Sequence, residues 1–355
     1  LGEIGESFIG LTYKPTDVVS EGGLIVFRSS NIQNGCMDYK DIVRVNKNVK
    51  EKLITKKDDL LVCARNGSAR LIGKNAILHE IDANQTFGAF MMVFRSDINH
   101  FVHQLLNTRR YSSQVSENLG ARINQITSSD LSSFEFFFPK GNSEMNKIAA
   151  LLDLLDERIA TQNKIIDKLQ SLIKGISRKI FATIQGVEYR MGDIATITNG
   201  NSNVQDAITE AKDGLYPFFD RSEDIKYLPI FLFDKEAIIY PGEGADFMPR
   251  YFKGKFALHQ RCYAIFDFNE IINAQFLYFY LKTKNSYFIR NAVGSTVPSL
   301  RLDTFQKLKV VIPSKEIQHS VSLCLSSMEQ KCNAEKKILH ELLKQKQYLL
   351  RQMFI

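Results

Sequence analysis

The sequence predicts an α+β fold written twice: two mixed α/β heads, each followed by a long helix, with the two helices paired antiparallel under an internal pseudo-two-fold repeat. Three observations predict it. Segments of the first half return in the second at a nearly constant offset, a heptad stripe follows each globular stretch, and the stretches themselves alternate strand-like apolar runs with turn residues.

The repeat fixes the order of elements. Leu1-Gly2-Glu3-Ile4 opens one half and Met191-Gly192-Asp193-Ile194 the other. Gly120 to Ile126 corresponds to Gly294 to Leu300. At the same offset, the apolar run Phe134 to Phe138 closed by Pro139 corresponds to Leu308 to Ile312 closed by Pro313. The expected domains are a head over 1–143, a long helix over 144–185, a second head over 186–314 and a second long helix over 315–355. Opening on Leu1 rather than Met, inside a hydrophobic-polar segment already under way, reads as a chain whose natural beginning lies upstream.

Within the heads, strands are expected at Leu24 to Phe27, Asp59 to Ala64, Phe90 to Phe94 and Glu135 to Phe138. The second head repeats them at Tyr216 to Phe219, Ala237 to Tyr240, Cys262 to Phe266 and Leu308 to Ile312. Helices are expected over His100 to Val115 and Ala274 to Phe288, ahead of turns at Gly120 and Gly294. In the first long helix, Ile148, Leu152, Leu155 and Ile159 step by four and three through Gln162 and Ile166 to Ile180. Val321, Leu325, Met328 and Cys332 begin the same stripe in the second, interrupted by Glu335 and Lys346. A helix of about 36 residues spans about 54 Å. Neither stripe is stable in water, so the two are expected to pack together. Gln162 and Glu335 hold equivalent seam positions, where either they pair and fix register at a cost in stability or each reaches solvent at a frayed part of the seam.

Charge and motifs narrow the function. Forty-six basic against 39 acidic residues in 355 give a net charge of +7. That is a mild tilt toward polyanions in a chain of ordinary globular hydropathy. Five cysteines without a Cys-x-x-Cys pair, no secretory leader and no apolar run of about 18 residues point to a reduced, cytoplasmic protein that does not enter a membrane. Gly67 to Asn75 misses a phosphate loop: one residue too many separates its glycines, and Asn75 stands where Ser or Thr is needed. It reads as a turn between two strands. Pro241-Gly-Glu-Gly244 lacks the strand-to-helix setting of a dinucleotide loop. The six histidines form no metal motif, and no nucleophile elbow is present. The expectation is no catalytic residue, no metal and no cofactor in this chain.

The polar loops carry more information. Arg28-Ser29-Ser30-Asn31 follows a strand, and Asp220-Arg221-Ser222-Glu223 stands at the same point of the second head. Arg65 and Asn66 with Arg70 and Lys74 form a second cluster, answered by Glu243 and by Arg250, Lys253, Lys255 and Arg261. These side chains read base edges: Arg on guanine, Asn on adenine, a carboxylate on the cytosine amino group. Lysine alone positions phosphates without reading sequence. The fourteen candidate contacts are therefore Arg28, Ser29, Asn31, Arg65, Asn66, Arg70, Lys74, Arg221, Ser222, Glu243, Arg250, Lys253, Lys255 and Arg261.

Two diverged heads, each followed by a heptad helix, together resemble the DNA specificity (S) subunit of type I restriction-modification systems. The resemblance covers essentially the whole chain. It rests on the paired head starts, Phe27-Arg-Ser-Ser-Asn-Ile32 before Gly35, Asp59-Leu-Leu-Val62 leading into Arg65-Asn-Gly67, the Gly120 and Gly294 turns, Pro139 and Pro313, and the helices ending at Phe181 and Phe354. It implies a non-catalytic subunit whose heads, the target recognition domains, each read one half of a bipartite double-stranded DNA site, with the coiled coil setting the spacer. It further implies two methyltransferase subunits, which bind S-adenosylmethionine and methylate adenine, and ATP-dependent restriction subunits. Half-sites one turn apart lie about 34 to 36 Å from each other, within reach of such a rod. Leu151, Ile165 and Leu172 flank the seam and are expected to dock the methyltransferase, with packing against the adjacent head as the alternative. The rival readings are a coiled-coil scaffold whose heads bind proteins, and an enzyme with a composite site.

Overall fold

The computed structural model describes residues 1–119 and 124–354, so the expected Gly120 turn lies outside the described residues. The chain divides into two compact units. The first holds Leu1–Lys164 and Lys337–Ile355, the second Ile165–Lys336.

The first unit begins with β1 (Glu6–Ile9), β2 (Val18–Val19), β3 (Leu24–Phe27), β4 (Ile32–Gln33), β5 (Cys36–Met37) and β6 (Val43–Val45). It continues with β7 (Leu60–Cys63), β8 (Asn75–Ile77), β9 (Thr86–Phe87) and β10 (Met91–Arg95). Helices α1 (Asn99–Leu105), α2 (Arg109–Leu119) and α3 (Ser128–Ser133) then lead into α4 (Asn142–Thr183). An antiparallel sheet in the order β1-β10-β7-β8 forms the centre, and a second sheet runs β2-β6-β3-β9. The apolar run over β7 reflects burial on both faces. Leu60 and Val62 pack with Met92, Phe94, Val102 and Tyr111, whereas Leu61 and Cys63 point the other way onto Phe27, Phe87, Met91 and Val93.

The second unit repeats this plan with β11 (Val187–Arg190), α5 (Met191–Ile194), β12 (Thr196–Asn199), β13 (Tyr216–Phe219), β14 (Lys226–Leu228), β15 (Phe233–Pro241), β16 (Arg250–Leu258) and β17 (Cys262–Phe266). Then come α6 (Ala274–Lys282), α7 (Asn285–Asn291), α8 (Leu302–Gln306), β18 (Lys309–Ile312) and α9 (Lys315–Met353). Six strands join in the order β12-β17-β15-β16-β13-β14. Ile238, Tyr240 and Ile265 face the helices; Ala237, Ile239 and Ala264 face Phe219 and Phe256.

Three expectations are corrected. Glu135 to Phe138 forms no strand, although its counterpart is β18. A strand needs a ladder partner, and β18 has β11, with Val187 opposite Ile312. In the first head the Leu1 nitrogen donates to the Ser132 and Phe134 carbonyls at 3.1 and 2.7 Å, and among the described residues no strand pairs with Glu135 to Phe138. The helix expected over His100 to Val115 is two helices, α1 and α2, and that over Ala274 to Phe288 is α6 and α7. In both breaks a threonine hydroxyl turns back on the preceding turn: Thr108 to the Leu105 carbonyl and Thr283 to the Tyr280 carbonyl, each at 2.6 Å. Finally, Arg250, Lys253 and Lys255 lie on strand β16 rather than on a loop, with Glu236 of β15 opposite Lys253.

The long helices run 42 residues for α4 and 39 for α9. Every expected seam position is buried or half-buried, with Leu152, Ile159, Ile166, Leu325, Cys332 and Leu342 fully so. In the first unit the early part of α4 runs beside the late part of α9, as an antiparallel pair requires. The Lys346 ammonium, the interrupting seam residue, reaches Asp156 at 2.5 Å. Glu335, the other interruption, is buried and pairs with Lys331 at 2.5 Å. Each head is keyed to a long helix by a polar clamp. In the first unit Gln104 donates to Asp153 and Asp156 at 2.9 and 3.0 Å, and His100 bridges Asp153 at 2.5 Å and Asp58 at 3.3 Å. In the second, Tyr278 and Lys282 reach Glu329. Among the described residues no helix is long and apolar enough to cross a membrane.

The clamp predicts a pH signature. The Asp153 hydrogen bond raises His100 to about 9, against the burial that opposes its charge. Its stabilisation is therefore complete below about pH 6.5, where the unfolded imidazole is also charged, and is lost as pH rises through about 9. Because the ring is nearly half exposed, the stability gap between the wild type and His100→Asn is expected to be only about 0.5 to 1 kcal/mol at low pH, vanishing above pH 9. Urea melts across that range measure it, and a gap that does not change with pH contradicts the assignment.

Candidate nucleic-acid interface

Of the expected contact residues, Ser29, Arg65 and Asn66 gather at a corner of the first head where β7 ends, and Arg221, Glu243 and Arg261 at the matching corner of the second where β15 ends, while Lys253 and Lys255 stand along β16. In the first head the corner is closed by backbone bonds. Gly88 N donates to Phe27 O at 2.9 Å, Ala64 N and Arg65 N to Phe90 O at 3.0 Å each, and Ile126 N to Ala64 O at 2.9 Å. The second head repeats it with His259 N to Phe219 O at 2.9 Å, Gly242 N to Arg261 O at 2.9 Å and Leu300 N to Gly242 O at 2.8 Å. Chain packing is tightest beside it. A Cβ at Gly10 would stand 2.3 Å from the Gly88 carbonyl oxygen, and one at Gly200 2.0 Å from that of Leu258, so only glycine fits at either position.

These bonds set a residue-by-residue equivalence between the heads. Arg28 corresponds to Asp220, Ser29 to Arg221, Arg65 to Glu243, Asn66 to Gly244 and Phe90 to Arg261. The backbone is the same and the chemistry is not.

In the first head Ser29, Arg65 and Asn66 meet. The Asn66 amide donates to Ser29 Oγ at 2.9 Å and its oxygen accepts from Ser68 N at 3.0 Å. The Arg65 guanidinium lies 5.1 Å from the centroid of the Phe90 ring, which is 56% exposed. Arg28 is half-buried and pairs with Asp41 at 2.7 Å. Arg70 is exposed and, with Lys74, lines a concavity of about 500 Å³. Lys74 itself donates to Ile32 O at 2.9 Å, and burial lowers its pKa.

In the second head a carboxylate is the centre. Glu243 is largely covered; Arg261 Nη1 donates to both of its oxygens at 2.8 and 3.0 Å, and Arg221 stands 3.7 Å away. Both guanidinium groups remain more than half exposed. Asp220 accepts from Ser222 Oγ at 2.5 Å and from Lys226 at 2.6 Å. Burial pushes this carboxyl up, but the Lys226 and Ser222 donors outweigh it and hold the pKa low. Lys253 and Lys255 are exposed, and the Lys255 ammonium sits 4.8 Å from the Phe231 ring centroid.

Three expected base readers are structural instead. Asn31 is buried, its amide spent on the Asp38 and Asp41 carbonyls at 3.0 and 2.9 Å, and its oxygen on Arg28 N at 2.8 Å. No edge is left for a base. Arg250 is half-buried under Phe219, donates to the Asp220 carbonyl at 2.5 Å and has its pKa lowered by burial. Ser222 is likewise spent on Asp220. Conversely, Phe90 was missing from the expected set; read as the start of a strand, it occupies the turn ahead of β10. No local pattern marks it, because its exposure beside Arg65 is set by tertiary neighbours.

The expected docking residues Leu151, Ile165 and Leu172 are 47%, 39% and 52% exposed. None is consumed by packing within its own unit. His100 and His103, three residues apart on α1, have separate tasks. His103 is buried against Asn75 at 2.7 Å, and burial lowers its pKa to about 4. Among the described residues no group of His, Cys, Asp or Glu is arranged to hold a metal.

Comparisons with known proteins agree with the repeated architecture. The family model described as type I restriction modification DNA specificity domain matches residues 1–171 and again 185–344. The type I restriction enzyme EcoDI specificity subunit of Escherichia coli is 28% identical over 142 residues, 40% of this chain and 31% of that protein. The EcoKI specificity subunit of Escherichia coli strain K12 is 28% identical over 173 residues, 46% of this chain and 37% of that protein. The matched stretches span about a third of the length of these relatives. Among solved structures, the S subunit of a type I restriction-modification system from M. genitalium shares the fold. Its TM-score is 0.69 over 100% of this chain and 94% of that one, at 19% identity.

The division between structural and exposed residues is testable by unfolding. Asn31→Ala and Arg250→Ala are each expected to cost about 1 to 3 kcal/mol by stranding buried partners. Arg70→Ala and Lys253→Ala should stay within about 0.5 kcal/mol. The reverse order in urea melts contradicts the division.

Proposed function

The chain belongs to the type I restriction modification DNA specificity family, whose domain it carries twice, and from that premise we propose that it selects the DNA sequence on which a type I restriction-modification complex acts. Each head reads one half of a bipartite double-stranded site. The observation that carries this is the pair of corners: one backbone frame, built twice, with Arg28, Ser29, Arg65 and Phe90 in one copy and Asp220, Arg221, Glu243 and Arg261 in the other. A duplicated reader of one palindromic sequence would need the same side chains at both corners. A reader of two different half-sites needs the frame preserved and the side chains changed.

The rest of the mechanism follows from charge and length. The chain is only mildly basic, so counterion release gives modest non-specific affinity and discrimination falls to a few placed contacts. Arg28, Ser29, Arg65, Asn66, Arg70 and Lys74 serve the first half-site, and Arg221, Glu243, Lys253, Lys255 and Arg261 the second. The helices α4 and α9 set the spacer between half-sites; 42 residues extend about 63 Å, more than the 34 to 36 Å of one duplex turn. The apolar flank at Leu151, Ile165 and Leu172 docks methyltransferase subunits, two by the symmetry of the repeat, and the assembly engages restriction subunits. The chain itself carries out no catalysis and needs no cofactor.

Selection from a random duplex library by the full chain bound to its methyltransferase subunits tests this reading. Enriched duplexes are expected to contain two short defined blocks separated by a fixed gap. A four-residue insertion in α4, about 6 Å of added helix, should alter the gap and leave the blocks unchanged. No enrichment from an intact complex, or a gap indifferent to the insertion, contradicts the proposal.

A further inference from the structure

The equivalence of the two corners carries an inference about how each head reads. Arg65 at the end of β7 corresponds to Glu243 at the end of β15, and Phe90 ahead of β10 corresponds to Arg261 ahead of β17. Each corner thus holds one arginine at this pair of positions, supplied by opposite strands. In the first head its partner is an aromatic ring 5.1 Å away; in the second it is a carboxylate accepting at 2.8 and 3.0 Å. In both, the arginine is exposed.

We propose that these two arginines are the guanine-reading residues of the two half-sites, Arg65 positioned by Phe90 and Arg261 positioned by Glu243. The inference rests on the DNA-reading role proposed above. A guanidinium pairs with the guanine O6 and N7 through two parallel hydrogen bonds, which demands a fixed plane. A free arginine pays rotamer entropy to reach that plane, and a partner that already holds it lowers the cost of binding. Phe90 explains itself in this way. A ring 56% exposed gains little from burial, but its face is electrostatically attractive to the guanidinium and leaves the arginine's donors free. Glu243 achieves the same hold with charge: Nη1 is occupied, while the group stays more than half exposed. Phe90 and Glu243 are positioning residues; they act through the arginine.

The test uses the full chain with its methyltransferase subunits, comparing the bound duplex preference of the wild type with Arg65→Ala, Arg65→Lys, Phe90→Ala, Phe90→Trp and Glu243→Gln, each checked for folding by thermal melting. Arg65→Ala is expected to lose discrimination at one guanine of one half-site by about 5- to 150-fold, the range of a bidentate base pair contact, with the other half-site unchanged. Arg65→Lys, which keeps the charge and can still donate to O6 or N7 but lacks the planar fork, should lose part of the same discrimination. Phe90→Ala should weaken that same base position, Phe90→Trp should restore it, and Glu243→Gln should affect only the other half-site. A loss of affinity in Arg65→Ala that is uniform across all duplexes overturns the inference in favour of a phosphate contact. A uniform loss across all duplexes in Phe90→Ala overturns the positioning role. A wild-type complex with a two-part site that Arg65→Ala leaves untouched sinks this inference while sparing the proposed function; a wild-type complex with no two-part site sinks both.

Discussion

The hydrogen bonds that close the corner of each head are the constraint on which the remaining structure depends. Gly88 N on Phe27 O and His259 N on Phe219 O tie the end of β3 to the turn before β10 and the end of β13 to the turn before β17, beside Gly10 and Gly200, where no side chain fits. Central strands buried on both faces anchor that corner from behind, through Leu60 to Cys63 in one head and Ala237 to Tyr240 in the other. Because the geometry is held by backbone atoms, the side chains that project from it are free to differ. Arginine over phenylalanine and glutamate under arginine occupy the same place without disturbing the fold. That separation of frame from surface is the physical basis of the proposal that two heads of one fold read different half-sites.

The helices extend the same logic. Their stripes bury apolar seams, and the polar interruptions are engaged rather than wasted: Lys346 reaches Asp156 and Glu335 reaches Lys331. Head and helix are joined by short polar clamps at equivalent positions, Gln104 to Asp156 and Tyr278 with Lys282 to Glu329. A directional contact of this kind fixes the rotation of a head on its helix more tightly than apolar packing does, because hydrogen bonds are lost within a few tenths of an ångström and apolar contacts are not.

Much of this was legible in the sequence because it is carried by periodicity. The offset between halves, the heptad stripes and the apolar runs at Leu24 to Phe27 and Cys262 to Phe266 all specify elements through spacing alone. The strand expected at Glu135 to Phe138 does not form because a strand is a property of two segments: β18 has β11 as its ladder partner, and among the described residues no strand pairs with Glu135 to Phe138. Arg250 was misread for the opposite reason: a basic residue in a polar stretch gives no sign that a strand will draw it under Phe219. Asn31 and Phe90 mark the limit. Whether a polar side chain bonds to its own backbone, or an aromatic stands in solvent beside an arginine, depends on tertiary neighbours that no local pattern encodes.

The central claim is that this chain confers a two-part DNA sequence on a partner that modifies DNA. Mapping N6-methyladenine across the genome of a host that expresses the methyltransferase subunits, with and without this chain, tests it most directly. The account predicts methylation at one motif of two defined blocks and a fixed gap, present only when the chain is expressed. The same methylation in its absence, or a stable and active complex that marks no such motif, would contradict it.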